Sequence, residues 1–485
     1  MRRFFRKTGD RLHCPHARWR RFLIAVWGQC CLSPVFLAAG AAEPVDWIWS
    51  ARYVVTMDAA RRVIESGAVA VRAERIVAVG TRQEIDGRYQ ARQRLDRPAA
   101  AILPGLVNTH THAPMTLMRG LADDMRLQEW LQNYIFPAEA RNVSPEYVRW
   151  GTRLACLEMM LGGTTTYADM YYFEDVVAEA TKEAGLRGVL GETIIGFPAP
   201  DAKTPAEALE FTERYIRRFR GDPLITPAVA PHAHYTNSEE TLRACRRLAD
   251  RYGVPLMTHL AETRPVRDET VAKWKKSPVA LLEAWGIFAG PTVAAHAVWV
   301  DDADLKIMKA RGVAVAHCPS SNTKLASGVA PVTRMLAAGL TVGLGTDGPA
   351  GSNNDLNLFE EMDLAAKLQK VTTGDPQALP APQALEMATR LGARALGLEK
   401  EIGSLEAGKR ADLITLSLDA PHTVPLYNIY SQIVYASKAS DVRDVMVNGR
   451  LLVRDRQALT LDSRQVLAKA EEFGAKVRAS VGAKP

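Results

Sequence analysis

The chain is poor in cysteine, with six in 485 residues, and Cys14, Cys30 and Cys31 fall within the first 42. Cys156, Cys245 and Cys318 remain, an odd and widely spaced set. That excludes a disulfide framework and leaves three buried thiols. An excess of one charge is also missing from most of the chain. The formal net charge is +7, yet residues 1–42 carry eight Lys or Arg against the single acid Asp10. From residue 43 onward, basic and acidic residues balance at 53 each, so no nucleic-acid partner is expected. There is no internal repeat beyond a strand–helix alternation, and no low-complexity linker. After residue 42 no segment is long and apolar enough to cross a membrane, so the mature protein is expected to have no stable span.

Residues 1–42 read as an export signal that is cleaved near Ala41 or Ala42. A basic start precedes the apolar stretch Phe22 to Ala39 and the small-residue run Ala38-Ala-Gly-Ala-Ala42. Gly28, Gln29 and Pro34 interrupt that stretch, which argues against a stable span. Arg20-Arg21-Phe22-Leu23 resembles a twin-arginine motif one residue short in spacing. The expected location is therefore periplasmic, or cytoplasmic if the start is misplaced.

What the chain does have is histidine at strand ends. Of ten histidines, seven (His110, His112, His232, His234, His259, His296 and His317) fall within about two hundred residues. His110 and His112 close the apolar run of Leu103-Pro-Gly-Leu-Val-Asn-Thr-His-Thr-His112. Residues i and i+2 of a strand share a face, so both imidazoles point the same way. His259, His296 and Asp347 each close a later short apolar strand. A shared metal at one end of a parallel barrel explains the pattern.

Eight strands are expected: 102–108, 164–168, 188–194, 225–230, 255–259, 292–296, 313–317 and 341–345. Helical patterns intervene, among them Glu146–Met160, Thr204–Arg220, Glu239–Arg251 and Val279–Trp285. Eight such alternations imply a (β/α)8 TIM barrel over 103–400, with its site at the C-terminal strand ends. Short β runs over 43–102 and 401–457 flank it, with turns at Ala73-Glu74 and Asn448-Gly449. These two segments are expected to form one small composite β-sandwich domain. Residues 458–485 add a C-terminal helix.

With these motifs in order, the chain resembles the amidohydrolase superfamily. Within it, the chain resembles the branch of 5′-methylthioadenosine/S-adenosylhomocysteine deaminases and chlorohydrolases. The resemblance covers roughly residues 46–456. It rests on Pro104-Gly-Leu-Val-Asn-Thr-His-Thr-His112, Arg119-Gly-Leu-Ala-Asp-Asp124, Glu129-Trp-Leu131, Gly163-Thr-Thr-Thr166 and Pro231-His232. Further along, it rests on Thr258-His-Leu-Ala-Glu262, His317-Cys-Pro-Ser-Ser-Asn322, Gly345-Thr-Asp-Gly348 and Gly403-Ser-Leu-Glu-Ala-Gly-Lys-Arg-Ala-Asp412. Two-metal relatives bridge their metals with a carboxylated lysine at the end of strand four. Here that end reads Val229-Ala-Pro-His-Ala-His234, without lysine. The resemblance therefore implies one Zn2+ per chain, with Fe2+ or another divalent ion as the alternative, held by His110, His112, His259 and Asp347.

It also implies roles. Glu262 would carry a proton from water to a ring nitrogen. His296 would hydrogen-bond the attacking oxygen, and Asp347 would accept a proton as well as hold metal. His232 would contact a purine ring, and Glu139 would hold the ribose hydroxyls. Met115, Met118 and Trp130 could wall a thioether pocket or belong to the ordinary core. His234 stands where proline is more usual and is expected to be exposed on its loop. Ser320–Lys324 is expected to shape the loop after strand seven without entering the chemistry. The implied reaction is hydrolytic deamination of an aminopurine, at best 5′-methylthioadenosine, S-adenosylhomocysteine or adenosine. Deamination of guanine or another base, triazine dechlorination, and a non-catalytic exported binding protein are the alternatives. The expected partner is a small molecule, and the chain is expected to form a homo-oligomer.

Overall fold

The computed structural model describes residues 42–481, so all but the last residue of the export signal expected over 1–42 lies outside them. Four strands come first: β1 (Glu43–Val55), β2 (Val63–Arg72), β3 (Arg75–Thr81) and β4 (Tyr89–Pro104). Ala73 makes the β2–β3 turn with φ 50°. The barrel strands follow: β5 (Leu106–Thr111), β6 (Thr164–Tyr171), β7 (Arg187–Ile194), β8 (Ile225–Pro231), β9 (Leu256–Leu260), β10 (Thr292–His296), β11 (Ala314–His317) and β12 (Val342–Leu344). The chain ends with β13 (Leu413–Ser417), β14 (Val442–Val447), β15 (Arg450–Arg454), β16 (Gln457–Ala458) and the helix Ser463–Val481.

Strands β5 to β12 pair in parallel in sequence order, with helices between them. Val107, Met170, Val189, Ala228, Met257 and Val293 fill one interior cluster. A Cβ on Gly191 would meet Met257 Cε at 2.7 Å and Ala230 Cβ at 2.8 Å, so the lumen accepts no larger residue there. The circle closes through a bridge between Thr111 and Asp347, where the Asp347 N–H donates to the His110 carbonyl at 3.0 Å. The seam of the barrel thus runs through the expected metal ligands. Each of the eight expected strands is present.

One boundary moves. The run expected over 102–108 breaks at Gly105, leaving Ile102–Pro104 in the composite sheet and starting β5 at Leu106. Pro104 has no N–H to donate, and a Cβ on Gly105 would lie 2.1 Å from Thr165 Oγ1. The chain therefore bends at this dipeptide.

The composite domain is one hydrogen-bonded mixed sheet in the order β16-β15-β14-β13-β4-β1-β2-β3. β4 is its centre, parallel to β1 and antiparallel to β13, and so joins the N-terminal half to the C-terminal half. Arg97 on β4 forks onto Asp444 of β14, with bonds of 2.8 and 2.7 Å. Arg187 on β7 forks onto Asp412 at 3.1 and 3.2 Å, fastening a barrel strand to the segment entering β13. The Asn448-Gly449 turn has φ 50° and 77°, as a type I′ hairpin needs. No helix among the described residues is long and apolar enough to cross a membrane.

Candidate metal centre and its pocket

β5 runs straight into its own histidines. His110 lies on β5 and His112 just past its end, both reaching one ligand cluster, and His259 lies on β9. Asp347 follows β12 with φ 64°, a left-handed conformation that costs a non-glycine residue on the order of 1–3 kcal/mol. One ligand atom from each of His110, His112, His259 and Asp347 lies within 4.8 Å of the others. Asp347 Oδ1 is 3.3 Å from His110 Nε2 and 3.2 Å from His112 Nε2. The expected ligand set is therefore brought together.

The set fits a divalent ion by its donors. The Met170 carbonyl accepts from His112 Nδ1 at 2.7 Å, and the His232 carbonyl accepts from His259 Nδ1 at 2.8 Å. Fixing the proton on Nδ1 leaves each Nε2 lone pair facing the cluster, the arrangement of zinc-binding histidine. His110 Nε2 is buried with no hydrogen-bond partner. Burial pushes His110 down to about 4 and His259 well below the ordinary range. Burial opposes charge on His112 too, but the Asp347 carboxylate outweighs it and raises His112 to about 9. For Asp347 itself, burial raises the pKa and the two imidazoles override it, holding the group well below the carboxylate range. Three imidazoles and one carboxylate suit zinc better than calcium or magnesium, which favour all-oxygen sites.

Glu262 and His296 complete the centre. Glu262 leaves β9 on the loop, 4% exposed, and burial raises its pKa. His296 ends β10 with φ 70°, and its Nε2 lies 4.0 Å from Glu262 Oε2. The Asn322 side-chain oxygen accepts from His296 Nδ1 at 3.0 Å, leaving Nε2 as an acceptor in the neutral ring.

Ser321 and Asn322 sharpen the sequence reading, in which this run shapes the loop after strand seven without entering the chemistry, because both reach side chains of the centre. The Ser321 hydroxyl donates to Asp347 Oδ2 at 2.6 Å, and Asn322 orients His296. Polar residues on the short helix Pro319–Lys324 carry no spacing signal, because their partners lie on other strands. Asp169 was missed for the same reason. Its Oδ1 accepts from Thr111 Oγ1 and from the Ala113 N–H, both at 2.6 Å, and so clamps the backbone on either side of His112. Replacing Asn322 by alanine should lower kcat/KM by about tenfold to a hundredfold with metal content unchanged. Steady-state kinetics with elemental analysis checks this, and concurrent metal loss would count against the positioning role.

The site opens into a cleft enclosing roughly 550 Å³ of space, open solvent at its mouth included. His112, His259, Glu262, His296 and Asp347 face it, together with Glu139 and His232. Glu139 lies on a helical segment over Leu127–Asn142, whose middle turn, Leu131–Ile135, is a π-turn. Pro137 explains that turn: its ring clashes with the carbonyl four residues back, and it has no N–H to donate. The C-terminal helix braces this segment, since Arg141 and Asn142 donate to the carbonyl and hydroxyl of Ser480. Glu139 is 5% exposed, and burial pushes it up to about 7 against the pull of the Tyr171 hydroxyl. His232 is half-buried, with Nδ1 3.0 Å from Thr236 Oγ1, and burial lowers it to about 3.

Met115 and Trp130 line the cavity, whereas Met118 is core. His234 is not the exposed residue expected. It is 7% exposed, its Nε2 bonds Thr270 Oγ1 at 2.7 Å, and it lies outside the ligand cluster. Cys156, Cys245 and Cys318 are buried free thiols, as expected.

A parallel barrel with a mononuclear His-His-His-Asp centre at its strand ends defines a metal-dependent hydrolase of the barrel type. The chain belongs to the amidohydrolase family, whose pattern matches residues 101–452. It is 46% identical over 439 residues to the 5-methylthioadenosine/S-adenosylhomocysteine deaminase 1 of Syntrophus aciditrophicus, covering 90% of this chain and 99% of that one. A similarly named protein of Syntrophobacter fumaroxidans is 48% identical over 416 residues, covering 86% and 94%. Among solved structures, an adenosine deaminase of Xanthomonas campestris with bound zinc superposes with a TM-score of 0.89 at 40% identity, covering 90% of this chain and all of that one. A zinc-bound atrazine chlorohydrolase of Arthrobacter aurescens superposes with a TM-score of 0.81 at 25% identity, covering 88% and 100%.

Proposed function

We propose that the protein is a zinc-dependent hydrolytic deaminase of an adenosine-type nucleoside, releasing ammonia and an inosine-type product. One observation carries the reading. The ligand cluster, Glu262 and His296 face one cavity whose wall also holds the buried carboxyl of Glu139. The named relatives support it, because they are deaminases of such nucleosides.

His110, His112, His259 and Asp347 would hold a zinc ion, whose chemistry would be to make water available as a nucleophile near neutral pH. Glu262 accepts the proton of that water and delivers it to the ring nitrogen beside the amino-bearing carbon. Its raised pKa suits a group that must both take and give a proton. The Nε2 acceptor of His296 orients the attacking oxygen. A carbon–oxygen bond forms, Asp347 passes the second proton of the attacking oxygen to the amino group, and the carbon–nitrogen bond breaks with release of ammonia. His232 borders the ring, and Glu139 accepts the two ribose hydroxyls.

Charged hydrogen bonds contribute about 1.5–3 kcal/mol, so Glu139→Ala should lower kcat/KM on nucleosides at least about tenfold. A free base, having no ribose, should be nearly unaffected. The sign with pH follows. The carboxylate is the form that accepts both hydroxyls, and it is lost as pH falls through about 7, so nucleoside kcat/KM should fall on that side. A pH profile comparing nucleoside with free base checks this, and equal acid limbs for the two would remove Glu139 from ribose binding.

The same proposal places the enzyme in the periplasm, on the basic and apolar composition of residues 1–42. Fractionation and the mass of the mature chain test that placement. It also makes the enzyme a homo-oligomer. Light scattering on purified protein tests that.

A further inference from the structure

The two substrates in the relatives' names share adenine and ribose and differ at the 5′ end. One ends in methylthio. The other ends in an amino acid with an ammonium and a carboxylate. Resting on the deaminase reading above, we infer that the 5′ subsite of this chain is apolar. It takes an adenosine with an uncharged 5′ group and discriminates against the amino-acid tail.

The reacting carbon must lie at the metal ligands, Glu262 and His296, and the ribose at Glu139. From Glu139 the cavity wall continues in carbon. Leu127, Leu131, Ile135 and Glu139 recur every four residues along one helical segment, and all face the cavity. They form a stripe with one carboxyl at its end and three aliphatic side chains beyond. Phe136, three residues before Glu139 on the same helix, also lines the cavity. Its ring packs edge-on against Phe197 at 5.1 Å, and Phe197 is 37% exposed. The rest of the lining, including Met170, Tyr171, Tyr172 and Thr193, brings hydroxyls but no further charge.

Among the described residues lining the cavity there is no lysine or arginine. Its carboxyls are Glu139, Glu262 and Asp347, already engaged with ribose, proton transfer and metal. A tail carboxylate entering this space would surrender water without gaining a cation or a charged hydrogen bond. A methylthio or alkylthio group gains by the same transfer out of water. The wall therefore separates the two substrates by charge, with opposite sign for the two tails.

The test is a substrate series on the purified zinc-loaded full chain, read as ammonia release. It compares 5′-methylthioadenosine, 5′-butylthioadenosine and S-adenosylhomocysteine, with guanine as a free-base control. Butylthio reproduces much of the tail's length without its charges. The expected result is kcat/KM for methylthio and butylthio within about threefold of each other. S-adenosylhomocysteine should fall at least about tenfold below both, the smallest effect expected of an unpaired charged group. Equal turnover of S-adenosylhomocysteine and 5′-methylthioadenosine would overturn the apolar subsite while leaving the deaminase reading intact. Poor turnover of both long tails would overturn discrimination by charge in favour of size. No turnover of any nucleoside with turnover of guanine would overturn the reading as a nucleoside deaminase itself.

Discussion

Glu262→Gln should retain its zinc and lose at least about a hundredfold in turnover, the size of effect expected from removing a general acid–base group. The side chain is 4% exposed and lies 4.0 Å from His296, so the amide keeps the packing and removes the proton-carrying function. Without that proton the ring carbon stays weakly electrophilic, and the departing nitrogen would have to leave as an amide anion. The loss should fall on kcat, because Glu139 and His232 still bind the nucleoside. Elemental analysis beside steady-state kinetics separates this outcome from metal loss. Near-normal turnover in the variant would take Glu262 out of the mechanism.

His259→Ala should strip metal and activity together. His259 supplies one of four donors, and its Nδ1 donates to the His232 carbonyl, which fixes its Nε2 toward the cluster. Zinc binding is also linked to folding. A ligand present at a thousandfold above its Kd stabilises the native state by about 4 kcal/mol, so chelation should lower the melting temperature of the wild type. The same chelator should barely move the melting temperature of His259→Ala. Two metals per chain by elemental analysis would contradict the mononuclear centre, which rests on the missing lysine in Val229–His234.

Much of this architecture is legible in the sequence because strand ends announce themselves. Short apolar runs closed by His112, His259, His296 and Asp347 mark both the barrel and its chemistry, and all four lie where the pattern puts them. What resists reading is what depends on partners far along the chain. β4 opens with the polar run Gln90 to Arg94, lacks alternation there, and becomes a strand because β1 pairs with it in parallel along that run. Ser321 and Asn322 look like ordinary loop residues until Asp347 and His296 come within reach. His234 is buried by Thr270, 36 positions away, which no local pattern encodes.

The central claim is that these residues release ammonia from an adenosine-type nucleoside. It is tested most directly by incubating the purified zinc-loaded chain with 5′-methylthioadenosine and measuring ammonia against nucleoside consumed. The account expects one ammonia per nucleoside and an inosine-type ultraviolet spectrum in the product. No ammonia from 5′-methylthioadenosine or adenosine, together with consumption of guanine or of a chlorinated triazine, would contradict it.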